Sequence, residues 1–203
     1  MTSLILPRGY CSYSQYNLWK RSPTQYRTQY FDGVKPPRSK ALDLGSKTAL
    51  LFEQNAAELS SVPRFSLPEY KLETFVDDVP VLGYIDSYEP STGEFIEMKT
   101  GAIPWDRVKV QKHEQLDFYA LMLNKIEGVS RERDCILIWL PTEKVQRELN
   151  GKFSDDYDLK LTGVHEVFHR TITLADIDYI HHAIVKVAHE IASDYQTYLS
   201  TNL

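Results

Sequence analysis

Two short segments decide the fold of this chain: Gly83-Tyr84-Ile85-Asp86 and Glu94-Phe95-Ile96-Glu97-Met98-Lys99-Thr100-Gly101. Between them lies Glu89-Pro90-Ser91-Thr92-Gly93, whose proline and glycine are typical of a turn. Each flanking segment is rich in β-branched and aromatic residues, a composition typical of strands. The sequence therefore predicts two neighbouring strands joined by this turn.

Charged side chains of these two strands are predicted to meet. Because side chains alternate along a strand, Glu97 and Lys99 share one face while Met98 points into packing on the other. If the strands form a hairpin, Asp86 falls near Glu97. Two carboxylates and a lysine suit a hard divalent cation and a phosphodiester. Taken alone, a glutamate and a lysine two residues apart are more often an ion pair on an exposed strand face.

The rest of the chain is predicted to alternate between helices and strands. A breaker-rich segment at 32–39 separates the first two helical regions, and a continuous apolar run at 134–140 is typical of a buried central strand. This order predicts an α/β fold with a central mixed β-sheet flanked by helices. The predicted helices are 12–31 (one helix, or two broken at Pro23), 45–59, 107–126 and a last one ending near Leu199. A further strand is predicted at 163–172, and 142–160 reads as a polar stretch.

Length and composition indicate one globular domain over 1–203. It divides into a helical region at 1–60, a core at 72–140 and a C-terminal strand and helix at 141–203. No run of eighteen apolar residues is present, so no membrane helix is expected, and the first residues lack the pattern of a secretory signal. The two cysteines, Cys11 and Cys135, cannot form a disulfide framework or a four-cysteine metal site. Free thiols of this kind are expected in a cytoplasmic protein.

Charge is distributed unevenly along the chain. The net charge is −5, but residues 1–50 hold eight lysines and arginines against two aspartates, and the remainder is strongly acidic. A basic N-terminal quarter on an acidic body suits a polyanionic partner, with carboxylates elsewhere available for metal, although lysines and arginines also simply solvate helix faces. The chain contains neither a GxxxxGK[ST] loop nor a GxGxxG loop, so nucleotide hydrolysis and dinucleotide binding are not indicated.

Four motifs in this order resemble the PD-(D/E)XK nuclease superfamily. Gly83–Asp86 and Glu97-Met98-Lys99 resemble its core, which is of the restriction-endonuclease type, and Gln115 with Tyr119 resembles the QxxxY element of the RecB-like and phage exonuclease branch. These two residues are four apart and share one helix face. Upstream, Ser12-Tyr13-Ser14 and Ser22-Pro23 resemble the opening helix of such nucleases, with Ser22 in place of a cysteine. No iron–sulfur cluster is implied.

The resemblance implies roles for individual residues. Asp86, Glu97 and the main-chain carbonyl of Met98 would bind Mg²⁺ or Mn²⁺, and Lys99 would position the attacking water. Gln115 and Tyr119 would orient Lys99 and the scissile phosphate. The segment Gly45–Glu53 resembles a glycine-led helix that carries a metal-binding histidine in RecE-type exonucleases. Thr48 or Ala49 stands at that position here, so Glu53 is the candidate replacement.

The same resemblance implies a DNA exonuclease of recombination, repair or phage DNA processing. Its substrate would be the ends of linear DNA, single- or double-stranded. Its possible partners would be a strand-annealing protein and a second copy of the chain. Its location would be a bacterial, archaeal or phage-infected cytoplasm. A non-catalytic nucleic-acid-binding or assembly module and a structure-selective endonuclease remain the alternatives. An N-terminal helical arch would guide the DNA, with the predicted contacts Ser14, Lys20, Arg21, Arg27 and Lys47. Tyrosines 10, 13, 16, 26 and 30 would either stack on bases or pack the helices onto the sheet.

Overall fold

The computed structural model describes residues 4–149 and 152–202 of the chain, so the predicted domain over 1–203 extends slightly beyond the described residues. The helices are α1 (Tyr13–Arg21), α2 (Pro23–Tyr30), α3 (Lys40–Glu53), α4 (Arg107–Gln111), α5 (Glu114–Glu127) and α6 (Leu174–Asn202), with a 3-10 helix at Ala57–Leu59. The strands are β1 (Leu67–Val76), β2 (Val79–Glu89), β3 (Glu94–Gly101), β4 (Arg133–Leu149), β5 (Lys152–Leu161) and β6 (Glu166–Ile172).

A six-stranded mixed sheet forms the centre of the fold, as the sequence predicts. The strand order is β1-β2-β3-β4-β5, and β6 also pairs with β4. The β3–β4 pair is parallel, from Phe95 opposite Cys135 to Gly101 opposite Pro141, whereas the other pairs are antiparallel. Helices α4 and α5 make the crossover that a parallel pair requires. The apolar run 134–140 lies in β4, between β3 and β6, so the prediction of a buried central strand is confirmed.

Side chains of β3 and β4 alternate between two hydrophobic cores. Phe95 and Leu137 enter the larger core, which α1, α2, α5 and α6 cover. Ile96 and Ile138 enter the smaller core, which α3 and the 3-10 helix cover. Met98 packs against this smaller core, on the side predicted for it. We call the two sides of the sheet the α5 face and the α3 face.

Capping residues define the first two helices. The side chain of Ser12 accepts a hydrogen bond from the N–H of Gln15 (3.4 Å) and that of Ser22 from the N–H of Gln25 (3.2 Å). Pro23 occupies the first turn of α2, where its missing N–H has no cost. The break predicted at Pro23 is therefore confirmed. The buried hydroxyl of Tyr26 donates to the side-chain oxygen of Gln15 (2.9 Å) and fixes α2 against α1.

Three element boundaries differ from the sequence prediction. The helix predicted at 45–59 runs over Lys40–Glu53, because Ser39 caps it and Gly45 is accommodated inside it. The helix predicted at 107–126 is divided at 112–113 into α4 and α5. The polar stretch 142–160 forms the outer part of β4 and most of β5, which pair as a hairpin. Both strands of this hairpin are rich in polar residues, so the sequence lacks the alternation of apolar and polar residues that is typical of a half-buried strand.

No helix in the described part of the chain is long and apolar enough to cross a membrane. This agrees with the absence of an extended apolar run in the sequence.

Gly83 permits a close approach between β2 and α5. A Cβ atom at this position would lie 2.8 Å from Cε1 of Tyr119 and 3.3 Å from the sulfur of Met122. Both neighbours are buried, so neither side chain has free space to move into. The glycine that opens the first motif therefore sets how closely Tyr119 packs on the sheet.

We expect Gly83→Ala to lower the free energy of unfolding by about 1–3 kcal/mol, because the added methyl overpacks the contact with Tyr119. Denaturant unfolding measures this change. Gly101→Ala is the matched control, since a Cβ atom there meets nothing within 4 Å. Equal stabilities of the two variants would contradict the packing argument.

Candidate active site

The candidate site lies where β2 and β3 separate. Their pairing extends only from Glu89 opposite Glu94 to Ser87 opposite Ile96. Beyond this point the carboxylate of Asp86 takes the place of a strand partner and accepts a hydrogen bond from the N–H of Met98 (2.6 Å). Asp86 and Glu97 meet, as predicted, but through this separation rather than as partners in the ladder.

The alternation of side chains along β2 is interrupted at the same point. Ile85 and Tyr88 both enter the core on the α5 face although they are three residues apart, so the irregularity includes Asp86. Glu97 lies on the α5 face and is almost completely buried (4% exposed). Asp86 and Glu97 both line one cleft.

Lys99 is the centre of a hydrogen-bonded chain of four residues. Its Nζ donates to Oε1 of Glu97 and to Oε1 of Gln115, each at 2.6 Å. Nε2 of Gln115 then donates to the hydroxyl of Tyr119 (2.8 Å). The four residues predicted from the two motifs thus form one connected group, and two of the three N–H donors of Lys99 are used in it.

The start of α5 is fixed from two directions, which positions Gln115. On one side, Glu114 accepts hydrogen bonds from the hydroxyl of Tyr16 (3.1 Å) and from Nζ of Lys20 (2.8 Å), both on α1. On the other side, the buried Arg170 of β6 donates to the carbonyl of Val110 (3.3 Å) and to the carboxylate of Asp117 (2.5 Å). These hydrogen bonds hold the start of α5 in the position where Gln115 reaches Lys99.

Burial and like charge shift the acidities in the site. Burial, reinforced by the charge of Glu97, raises the pKa of Asp86 to about 8, and the hydrogen bond from Met98 opposes this rise. Burial also raises the pKa of Glu97, while the ammonium of Lys99 opposes the shift. Two carboxylates that raise each other's cost of ionisation favour either a proton on one of them or a cation nearby.

The cleft beside these carboxylates has a volume of about 380 Å³ and α3 forms its opposite wall. Thr48 and Ala49, which stand where the resemblance would place a histidine, lie on that wall. The oxygen donors Asp86 and Glu97 fit Mg²⁺ or Mn²⁺, which usually keeps several water ligands in proteins. Among the described residues no group of three or more histidine, cysteine, aspartate or glutamate side chains is placed to hold a metal ion.

Glu53 is exposed at the end of α3 and is not part of the cleft wall. Its carboxyl group hydrogen-bonds to that of Glu69, an interaction that helps to raise the pKa of Glu69. The charge of Glu69 in turn contributes to the raised pKa of Asp86. Glu53 is thus linked to the site through Glu69 and remains a predicted ligand only.

Sequence reasoning missed Glu69. This residue of β1 stands where the β1–β2 ladder skips one pair, opposite Asp86, and its φ of 44° is strained for a residue with a side chain. Only Phe75-Val76 of this strand was recognisable, because β1 is largely exposed and lacks a clear alternation. Extending the strand towards Leu67 would have placed Glu69 beside Asp86.

The five predicted DNA contacts fall into two groups. In the first group, Ser14, Arg21 and Lys47 are exposed, and each lines a cavity. Arg21 and Lys47 form no ion pair among the described residues. Lys20 is paired with Glu114 (2.8 Å) and Arg27 with Asp194 of α6 (2.6 Å). Two of the basic residues near the start of the chain therefore hold helices together.

The N-terminal tyrosines are also divided. Tyr16 and Tyr26 are completely buried, whereas Tyr13 and Tyr30 are half-buried and line a cavity next to Lys99. Packing of the helices onto the sheet is therefore observed for Tyr16 and Tyr26, and stacking of the tyrosines on bases stays a prediction.

No protein-family model and no curated protein matches this chain. Among solved structures, a candidate exonuclease from Eubacterium rectale superposes with a TM-score of 0.57 at 13% identity, covering 90% of this chain and 82% of that one. This likeness shows a shared nuclease-like fold. Weaker similarities are to the protein SSO0001 (TM-score 0.39, 12% identity, 89% and 71% covered) and to Candida albicans Rai1 in complex with pU5-Mn²⁺ (0.23, 16%, 64% and 34%).

His113 lies at the break before α5 with an unusual environment. Its Nε2 is buried without a hydrogen-bond partner among the described residues, and the rings of Tyr13 and Trp105 pack against it (centroids 5.9 and 4.9 Å). Burial lowers the pKa of His113 to about 3, and the cations Lys99, Arg170 and Lys109 add to this shift, while a hydrogen bond to Gln115 opposes it. The ring is therefore neutral in the folded chain at neutral pH.

We expect His113 to contribute a loss of stability as pH falls from about 6.5 towards 3, because its ring takes up a proton in the unfolded chain well before it does so in the folded one. This contribution is up to about 1.4 kcal/mol per pH unit across that window, while the raised pKa of Asp86 acts in the opposite direction. The free energy of unfolding of the parent relative to His113→Gln should therefore decline as pH falls, measured by denaturant unfolding of both proteins at several pH values. His169→Gln, on the exposed side of β6, is the matched control, and parallel profiles for H113Q and the parent would contradict the argument.

Proposed function

We propose that this chain is a divalent-metal-dependent nuclease that hydrolyses phosphodiester bonds of DNA, with an active site of the PD-(D/E)XK type in its RecB-like branch. The observation that carries the proposal is the position of Lys99. Its ammonium group contacts Glu97 and Gln115 at 2.6 Å, beside the buried Asp86. A surface ion pair would leave these groups exposed, whereas here they converge on a cleft.

Each residue of the site has a proposed role. Asp86, Glu97 and the carbonyl of Met98 would hold Mg²⁺ or Mn²⁺, which would polarise the scissile phosphate and stabilise charge on the leaving oxygen. Lys99 keeps one N–H donor for a water molecule or a phosphate oxygen. Gln115 holds Lys99 in place, and Tyr119 holds Gln115. Glu97 and Tyr119 are almost completely buried, which strengthens the hydrogen bonds that they make.

Cleavage at DNA ends, in recombination, repair or phage DNA processing, is the proposed activity. It rests on the resemblance of the QxxxY element to end-processing nucleases and on the shared fold. A strand-annealing partner, a homo-oligomer and a cytoplasmic location are further parts of the proposal. Thiols at Cys11 and Cys135, both buried and unpaired, are compatible with a reducing compartment.

Degradation of end-labelled linear DNA is the direct test, with single- and double-stranded substrates, in Mg²⁺, in Mn²⁺ and in chelator. We expect metal-dependent loss of the label, and a decrease in rate of at least about a hundredfold in Lys99→Ala, because the residue touches the reacting groups. Lys186→Ala, at an exposed position of α6, is the matched control.

Covalently closed circular DNA separates the two nuclease classes, since an exonuclease leaves it intact. Cleavage of the circle would favour a structure-selective endonuclease. Absence of cleavage with either metal, together with metal-independent DNA binding, would disprove the nuclease and leave a binding module with this fold.

Tyr119→Phe tests the outer end of the hydrogen-bonded chain. The substitution keeps the buried ring but removes the oxygen that accepts from Gln115, so Gln115 loses one anchor. We expect kcat to fall about three- to tenfold with KM little changed, as for the loss of one hydrogen bond. Tyr84→Phe, on the exposed face of β2, is the control, and equal kcat values for Y119F and Y84F would show that the Tyr119 hydroxyl has no part in positioning Gln115.

A further inference from the structure

A second cavity, of about 450 Å³, lies on the other side of Lys99, against α1 and α2. Lys99 and Gln115 of the candidate active site are among its lining residues, so the two cavities meet at Lys99. Five polar side chains of the two helices line it, at intervals of three or four residues along the chain. We call this set the polar track: Ser14, Asn17, Arg21, Gln25 and Gln29.

The track combines hydrogen-bond donors with positive charge. Its amides and hydroxyl can donate to phosphate oxygens, and Arg21 is its cation. Lys99, which also lines the cavity, is paired with Glu97 (2.6 Å). No aspartate or glutamate contributes to the cavity wall in the part of the chain that the structure describes, although the chain has 28 acidic residues and a net charge of −5. The track therefore offers an anion one unpaired positive charge and several hydrogen-bond donors.

The neighbouring lysine and arginine side chains already form ion pairs within the protein. Lys20 is paired with Glu114, Arg27 with Asp194 and Arg38 with Asp43. Arg21 is exposed and has no ion pair among the described residues. One unpaired arginine and several amides remain to contact a ligand on this side.

We propose that the polar track binds the backbone of a single DNA strand and delivers it to Lys99, which makes the protein selective for single-stranded substrates. This proposal rests on the proposed function and specifies its substrate. Its ionic contact is Arg21. The half-buried Tyr13 and Tyr30 also line the cavity, and their rings pack against the core beneath it.

A single strand fits this surface better than a duplex does. Duplex binding depends on many lysines and arginines that neutralise phosphates on both strands. On α1 and α2 most such charges are held in ion pairs. A row of amides with one unpaired arginine therefore suits the single backbone of an extended strand, which needs fewer ionic contacts.

Arg21→Gln and Gln25→Glu test the track. Gln25 stands three residues after the cap Ser22, a position where glutamate favours a helix, so the added charge should not unfold α2. Arg107→Gln and Gln111→Glu make the same chemical changes on α4, outside the track. Binding is measured in chelator, by the anisotropy of a fluorescein-labelled single-stranded oligonucleotide of mixed sequence and of the same strand annealed to its complement.

We expect the parent to bind the single strand more tightly than the duplex. R21Q and Q25E should each weaken single-strand binding about tenfold, as for a lost charge-assisted contact. In R21Q the slope of log affinity against log salt should also become shallower by about 0.7, the value for one phosphate contact on a single strand. A merely structural effect would leave this slope unchanged.

Two results would overturn the proposal: affinities of R21Q and Q25E equal to those of R107Q and Q111E, or tighter binding of the duplex by the parent. Because binding is measured without metal, the outcome is independent of cleavage. Metal-dependent cleavage that is insensitive to R21Q would contradict the proposed role of the track and leave the proposed nuclease function intact. Loss of single-strand binding in R21Q, without any cleavage by the parent, would support the track and contradict the nuclease function.

Discussion

The hydrogen bond from the N–H of Met98 to the carboxylate of Asp86 is the contact on which the site depends. It occupies the point where β2 and β3 stop pairing, so the backbone of β3 stays satisfied although its neighbour strand has left it. In a regular ladder of this register Asp86 would be the direct partner of Glu97. The opening instead turns the carboxylate of Asp86 to the backbone of β3 and leaves a cleft that both acidic residues line.

The surrounding structure supports an arrangement that is unfavourable on its own. Two carboxylates are buried near each other, Glu69 has a strained backbone, and His113 holds an unpartnered ring nitrogen. Each of these features costs stability. The two hydrophobic cores and the anchored start of α5 offset these costs. Unfavourable local features of this kind are typical of functional sites in folds whose other residues favour the observed structure.

Much of the fold could be predicted from short-range patterns, whereas long-range charge pairing could not. The turn at 89–93, the apolar run of β4 and the break at Pro23 each follow from a few adjacent residues. Within the site, strand alternation and helix spacing placed Glu97 with Lys99 and Gln115 with Tyr119. The partners of Lys20 and Arg27 lie 94 and 167 residues away, so nothing local indicates that these charges are already neutralised. Glu69 was missed because its exposed strand carries no clear period.

The parallel pairing of β3 with β4 has a consequence for the order of folding. Glu97 and Lys99 lie on a strand whose partner follows only after two helices, and that partner needs β6 on its other edge. Non-local pairings of this kind form late, since the intervening loop must close first. During synthesis the local hairpin of β2 and β3 can therefore form early, whereas the sheet around Glu97 and Lys99 is completed only after β4 and β6 have left the ribosome. A nascent fragment that ends before β6 would lack the completed candidate site.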